Sequence, residues 1–296
     1  MISAVTESKP DQLIQFGDHE VVKLRAAGRQ SGNGAERLEG EQRMDLQLKG
    51  KKAIVTGGTK GIGLAIAETL AVEGCDIAVC ARDGALVETT VADLSTRGVQ
   101  AHGASADVTD GDSFRQWIEQ AAEQLGGLDI MVANVSALAG ASDEAAWRAG
   151  LETDVLGTVR AVEAGLPFLE KSDCGSIVAI ASTAALENFF GVRAYNAIKA
   201  AVIAYMSALA STVASQGIRA NTVSPGTIYF EGGVWDQRRQ EMPKIYEAAL
   251  AKNPTGHMGK PQDVANAVAF LASPAAKFVN GANLVVDGAL TQRVQF

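Results

Sequence analysis

From Lys51 onward the chain repeats one pattern, a short apolar run rich in β-branched residues followed by a longer stretch with helical spacing. The runs fall at 53–56, 76–80, 128–133, 176–180, 218–223 and 283–286, with a weaker one at 99–105. The helical stretches fall at 62–72, 85–96, 112–125, 144–169 and 194–214. Short strands alternating with helices predict βαβ units and a parallel sheet. Strands apolar on both faces predict helices covering both sides of that sheet. About seven such strands in roughly 250 residues suit one doubly wound α/β domain, here 44–296.

The first 43 residues break the pattern. They show no sustained period, and glycine and polar residues dominate 28–40. Seven acids against six bases do not suit a mitochondrial presequence, and no basic segment precedes an apolar one as in a secretory signal. The expectation is a disordered N-terminal extension, 1–43, with at most a transient helix at 21–27 and a natural translation start at Met44.

Net charge narrows the partners. A balance of 26 basic against 34 acidic residues, formally −8, leaves no footprint for nucleic acid or an anionic membrane. No run of about 18 apolar residues is evident, so no membrane span is expected. Cys75, Cys80 and Cys174 form no CxxC pair and are read as reduced thiols of a cytoplasmic protein. The three histidines are scattered, so no metal site is expected.

The first strand runs into Thr56-Gly57-Gly58-Thr59-Lys60-Gly61-Ile62-Gly63 and then a helix. Glycines at a strand-to-helix junction let backbone N–H groups and the helix dipole face a pyrophosphate. Gly57, Thr59, Lys60, Gly61, Ile62 and Gly63 are therefore candidate cofactor-binding residues. The second strand ends in Cys80-Ala81-Arg82-Asp83. An NAD site usually puts an acid there for the ribose 2′-hydroxyl. Asp76 lies at the strand's start and is discounted, whereas Arg82 offers a guanidinium to a 2′-phosphate. With Lys60 at the same corner, NADP(H) is favoured over NAD(H); a solvated surface arginine is the alternative.

Tyr195 and Lys199 stand four apart in the alanine-rich stretch 194–214, on one helix face. An ammonium beside a phenol favours the phenolate and lets a tyrosine exchange protons near neutral pH. Ser182 follows the run 176–180, at the carboxyl end of a strand where open α/β sheets bind ligands. Its hydroxyl can hold a carbonyl oxygen beside the tyrosine. A surface helix pair and a helix N-cap are the alternatives for these residues.

TGGTKGIG (56–63), DIMVANVSA (129–137), SIVAIAS (176–182), YNAIK (195–199) and Val223-Ser224-Pro225-Gly226 together make the chain, from about Leu46, resemble the compact, single-domain branch of the short-chain dehydrogenase/reductase family. The resemblance implies a Rossmann fold of seven parallel strands and NAD(P)-dependent hydride transfer. It implies that Ser182 orients the carbonyl, Tyr195 passes the proton, and Lys199 binds the nicotinamide ribose and tunes Tyr195. It carries Asp107 and Val108 to the adenine, Asn134 to the segment lining the cofactor, and Pro225, Gly226 and Ile228 to the nicotinamide. Helix capping and a plain turn are the alternatives for Asp107 and Pro225-Gly226.

Two departures stand out. The family's Asn-Asn-Ala-Gly reads Ala133-Asn134-Val135-Ser136 here. The family's fourth catalytic residue, an Asn that helps hold a water relay to the lysine, aligns with Asp154. A backbone role survives that change; a carboxylate can instead pair with Lys199. Asp154 is thus a candidate catalytic residue.

Residues 227–255 are long enough for a mobile lid. They hold Ile228, Tyr229, Phe230, Trp235, Met242 and Tyr246, and Phe189-Phe190 precede the tyrosine, in a chain only 5% aromatic. This predicts a largely apolar pocket for a small hydrophobic ketone or alcohol; the alternative is rings that merely pack the lid. Arg193 either meets an anionic group or is solvated. A 3-oxoacyl-carrier or -CoA reductase is the alternative function, weakened for the acidic carrier by Asp173 and Gln216 at its docking positions. A non-catalytic NADP-binding sensor or scaffold is the alternative of a different class. The family commonly packs its long helices between subunits, so a homotetramer (or homodimer) is expected through 144–169 and 194–214; internal packing of Ala197, Ala200, Ala201, Ala204 and Ala208 is the alternative.

Overall fold

The computed structural model describes residues 44–189 and 191–294; the predicted extension 1–43 and Phe190 lie outside the described residues. Seven strands, β1 (Lys52–Thr56), β2 (Asp76–Ala81), β3 (Ala101–Ser105), β4 (Ile130–Ala133), β5 (Ser176–Ile180), β6 (Arg219–Pro225) and β7 (Asn283–Val286), form one sheet in the order β3-β2-β1-β4-β5-β6-β7. Every pairing is parallel. The order reverses between β1 and β4, so a crevice opens beyond their carboxyl ends.

Helices cover both faces, as the uniformly apolar strands require. One face carries α1 (Gly61–Val72), α2 (Gly84–Ser95) and α9 (Pro261–Ala272) over Ile66, Leu70, Val87 and Val264. The other carries α3 (Gly111–Leu125), α5 (Gly157–Leu169) and α6 (Ala194–Val213) over Phe114, Ile118, Val162 and Met206. In α3 the buried residues Phe114, Trp117, Ile118, Ala121, Ala122 and Leu125 keep one apolar stripe, and Gly126, at φ 72°, ends the helix.

Three elements depart from expectation. The stretch 144–169 is not one regular helix: α4 (Glu144–Gly150) passes through a π-helical turn, Leu151–Leu156, before α5. Such turns concentrate at functional sites, and this one carries Asp154. Second, α9 was not anticipated. The guanidinium of buried Arg219 donates to the carbonyls of Leu271, Ala272 and Ser273 at its C-terminal end, where a cation complements the helix dipole. Third, Ala194–Gln216 is long and apolar enough, by length and composition, to cross a membrane, against the expectation that no such run exists. It buries Val202, Met206, Ala210 and Val213 in the second core face. Ala197, Ala200, Ala201, Ala204 and Ala208 point to solvent, so internal packing does not explain them.

Residues 227–255 hold α7 (Val234–Glu241) and α8 (Pro243–Lys252). The excursion begins and ends at one neck: Tyr229 N–H donates to the Gly259 carbonyl at 2.8 Å, and Gly259 N–H to that of Thr227 at 2.9 Å.

Candidate active site

A cavity of about 1060 Å³ opens along the carboxyl ends of the strands. Its first wall is the glycine turn. Gly57 takes φ 65°, which a side chain resists, and a methyl at Gly63 would overlap the Gly57 carbonyl. Asn134 ties β4 to the turn: its side-chain amide donates to the carbonyls of Thr56 (3.0 Å) and Gly57 (3.2 Å). The Asn-Asn-Ala-Gly departure therefore leaves this brace intact.

Lys60 and Arg82 line the cavity, both exposed, and Arg82 stands at the end next to β3. Asp107 and Val108 line it there too. The Asp107 carboxylate accepts from Thr109 N–H (2.9 Å) and Oγ1 (2.8 Å), an Asx turn rather than a helix cap. The Thr109 N–H, more than Arg82, holds that carboxyl below the usual range.

Ser182, Tyr195 and Lys199 share the opposite end. Ser182 follows β5, and its hydroxyl accepts from Ala184 N–H at 3.1 Å, so it caps a short turn and lines the cavity at once. Buried Lys199 donates to the Ile180 carbonyl at 2.9 Å, and its ammonium lies 5.8 Å from the Tyr195 ring centre.

Asp154 joins this group from behind. Its Oδ1 lies 2.9 Å from Lys199 Nζ, both side chains at most 3% exposed. The contact is one of charge, since Oδ1 lacks well-angled hydrogen-bond geometry. Oδ2 accepts from Ala137 N–H at 2.8 Å, and the backbone carbonyl accepts from Thr158 Oγ1 at 2.6 Å. The carboxylate stands behind the cavity lining, in contact with Lys199 and Ala137, both of which line it.

Pro225, Gly226 and Ile228 line the cavity beside β6. A Cβ on Gly226 would meet Asp287 at 2.7 Å. Thr59 and Gly61 are the predicted turn residues outside the lining. Thr59 is buried, and the Phe230 ring sits where a side chain on Gly61 would stand. Sequence reasoning missed what Phe230 covers. It also missed Thr227, whose buried Oγ1 has no hydrogen-bond partner among the described residues; its place after Pro225-Gly226 was the available signal.

Of the lid aromatics, Phe230 and Trp235 line the cavity, as does Phe189. Tyr229 and Tyr246 instead pack edge to face, 6.4 Å apart, so both readings of the lid rings hold, each for different rings.

The cradle at Gly57 and Gly63, the exposed Lys60 and Arg82 and the orphaned Thr227 hydroxyl all line this cavity, a donor set that fits a dinucleotide. Among the described residues no cluster of metal-ligand geometry lines this cavity. Cys80 lines it with its thiol pushed up to about 12 by burial, which leaves it a poor nucleophile.

A family model described as enoyl-(acyl carrier protein) reductase matches residues 57–291. Isoepoxydon dehydrogenase of Penicillium expansum is 35% identical over 255 residues, 84% of this chain and 98% of that protein. The 3-oxoacyl-[acyl-carrier-protein] reductase of Vibrio cholerae is 33% identical over 249 residues, 83% of this chain and 99% of that protein. A short chain dehydrogenase of Burkholderia cenocepacia, solved in complex with NADP, has a TM-score of 0.74 at 31% identity, covering 82% of this chain and 98% of its own.

Proposed function

Because the chain belongs to the short-chain dehydrogenase/reductase family and is an oxidoreductase, we propose that it interconverts a ketone and a secondary alcohol on a small, largely hydrophobic substrate, using NADP(H). The observation that carries this reading is that Ser182, Tyr195 and Lys199 open into the same cavity as the glycine turn, Lys60 and Arg82.

The cofactor, when bound, supplies the hydride in reduction and accepts it in oxidation. Lys60 and Arg82 hold its 2′-phosphate, and the N–H groups of the turn hold its pyrophosphate. The Ser182 hydroxyl donates to the substrate oxygen and fixes its orientation. Tyr195 Oη gives its proton to that oxygen in reduction and takes it back in oxidation. The buried Lys199 charge stabilises the phenolate between those events. Trp235, Phe189 and the lid exclude water from the reacting carbon. The same proposal makes the enzyme cytoplasmic and homotetrameric (or homodimeric), with the exposed alanine face of α6 between subunits.

NADPH oxidation with a panel of ketones tests the assignment. Tyr195→Phe is expected to lower kcat by about 10²–10⁴ while NADPH binding persists. Activity that survives the substitution overturns the mechanism.

A further inference from the structure

The chemistry above leaves one basic cluster without a role. Arg193, just before α6, and Arg238, on α7, both line the cavity at its tyrosine end. They are close enough that, after burial, the Arg193 charge is what most depresses Arg238, with Tyr195 acting in the opposite sense. The Arg238 guanidinium lies 4.6 Å from the Trp235 ring centre, a stacked arrangement that pre-orients its planar fork. Helix α8 adds Lys244 and Lys252, at the two ends of a cavity-lining face whose middle is Ile245, Ala248 and Ala249.

The distribution of charge is lopsided. Among the described residues lining the cavity, Asp107 is the single carboxylate, and it stands at the far, β3 end. This occurs in a chain of formal net charge −8. Cations gathered around a concave, partly apolar wall focus a positive potential into it. Guanidinium forks bind carboxylate, sulfonate or phosphate oxygens in pairs, and bind them best where water is scarce.

We propose that Arg193 and Arg238 form an anion subsite, and that the substrate is amphipathic: a ketone or alcohol at Tyr195, an apolar body against Trp235 and α8, and an anionic group on the two guanidinia. The subsite refines the ketone/alcohol reading and rests on it for the placement of the carbonyl.

Two measurements test it separately. Calorimetric titration of the NADPH-loaded protein with hexanoate, hexanesulfonate, hexyl phosphate and neutral hexanol reads the subsite without turnover, and the order among the three anions identifies the preferred oxyanion. At least one anion is expected to bind about tenfold tighter than hexanol, and Arg193→Gln/Arg238→Gln to abolish that difference. Kinetics then compare levulinate and para-acetylbenzoate with their methyl esters. The ratio of kcat/KM for acid over ester is expected to exceed one and to fall about tenfold in the same variant. Arg193→Lys/Arg238→Lys retains the charges and is expected to retain a preference for the anions, which guards against a fold defect in the glutamine variant. Anions that bind no better than hexanol overturn the subsite. Anions that bind tightly to a protein that reduces neither acids nor esters uphold the subsite and overturn the reductase reading instead.

Discussion

The two ends of the cavity are built on different principles. At the cofactor end the wall is backbone: glycines where no side chain fits, braced by Asn134 between β1 and β4. At the substrate end the wall is side chains on α7 and α8, two short helices carried by an excursion that returns to one neck at Gly259. The first wall leaves little room for a side chain at Gly57 or Gly63. The second buries only Asp236 of α7 and Ala249 of α8, so little core depends on it.

Substitutions at the two ends should separate them. Gly63→Ala sets a methyl against the Gly57 carbonyl. It is expected to lose about 1–3 kcal/mol of stability and most NADPH affinity, read by thermal melting and fluorescence titration. Gly232→Ala, in the lid at φ 72° with nothing within 4 Å of the new methyl, bears only the left-handed backbone strain of about 1–2 kcal/mol and is expected to keep NADPH binding. Equal loss of NADPH affinity at both glycines would erase the distinction.

Arg82→Asp tests whether the basic corner reads the 2′-phosphate. The ratio of kcat/KM for NADPH over NADH is expected to fall by about tenfold or more. An unchanged ratio would mean that Arg82 is only a solvated surface residue.

Asp154→Asn removes a carboxylate 2.9 Å from the Lys199 ammonium. With that charge no longer compensated, the Lys199 ammonium acts more strongly on Tyr195, so the pH–rate profile for alcohol oxidation is expected to move to lower pH. A profile that stays in place while the melting temperature falls would assign Asp154 to the fold alone, through its bond from Ala137.

The smallest effect is expected at the seam between the two ends. Phe230→Ala uncovers Gly61 and is expected to lower the KM for NADPH by about threefold, ~0.6 kcal/mol. A raised KM would show that the ring helps hold the cofactor.

How much was legible in the sequence follows the same division. The strands and the glycine turn were readable because apolar runs of fixed length and glycines at a junction are consequences of local sterics. Arg82, Ser182, Tyr195 and Lys199 were readable because they follow strand ends or share a helix face. α7 and α8 were not, since VWDQRRQE and PKIYEAALAK face a cavity and carry no strong apolar stripe. α9 has such a stripe in Val264, Ala265, Val268 and Ala269, but it opens on Lys260, which is no ordinary N-cap residue. The Asp154–Lys199 contact was open in the sequence as one of two roles. Its geometry depends on the π-helical turn at Leu151–Leu156, whose extra residue per turn no periodicity announces. Phe230 was read as pocket lining, and its seat on Gly61 depends on how the lid folds back.

That seat ties the two ends together. The Phe230 ring closes one side of the glycine turn, at Gly61, while Gly57 and Gly63 stay open to the cavity. The residue that seals the turn belongs to the same excursion that carries α7 and α8, so a change in that excursion reaches the turn without altering any glycine in it.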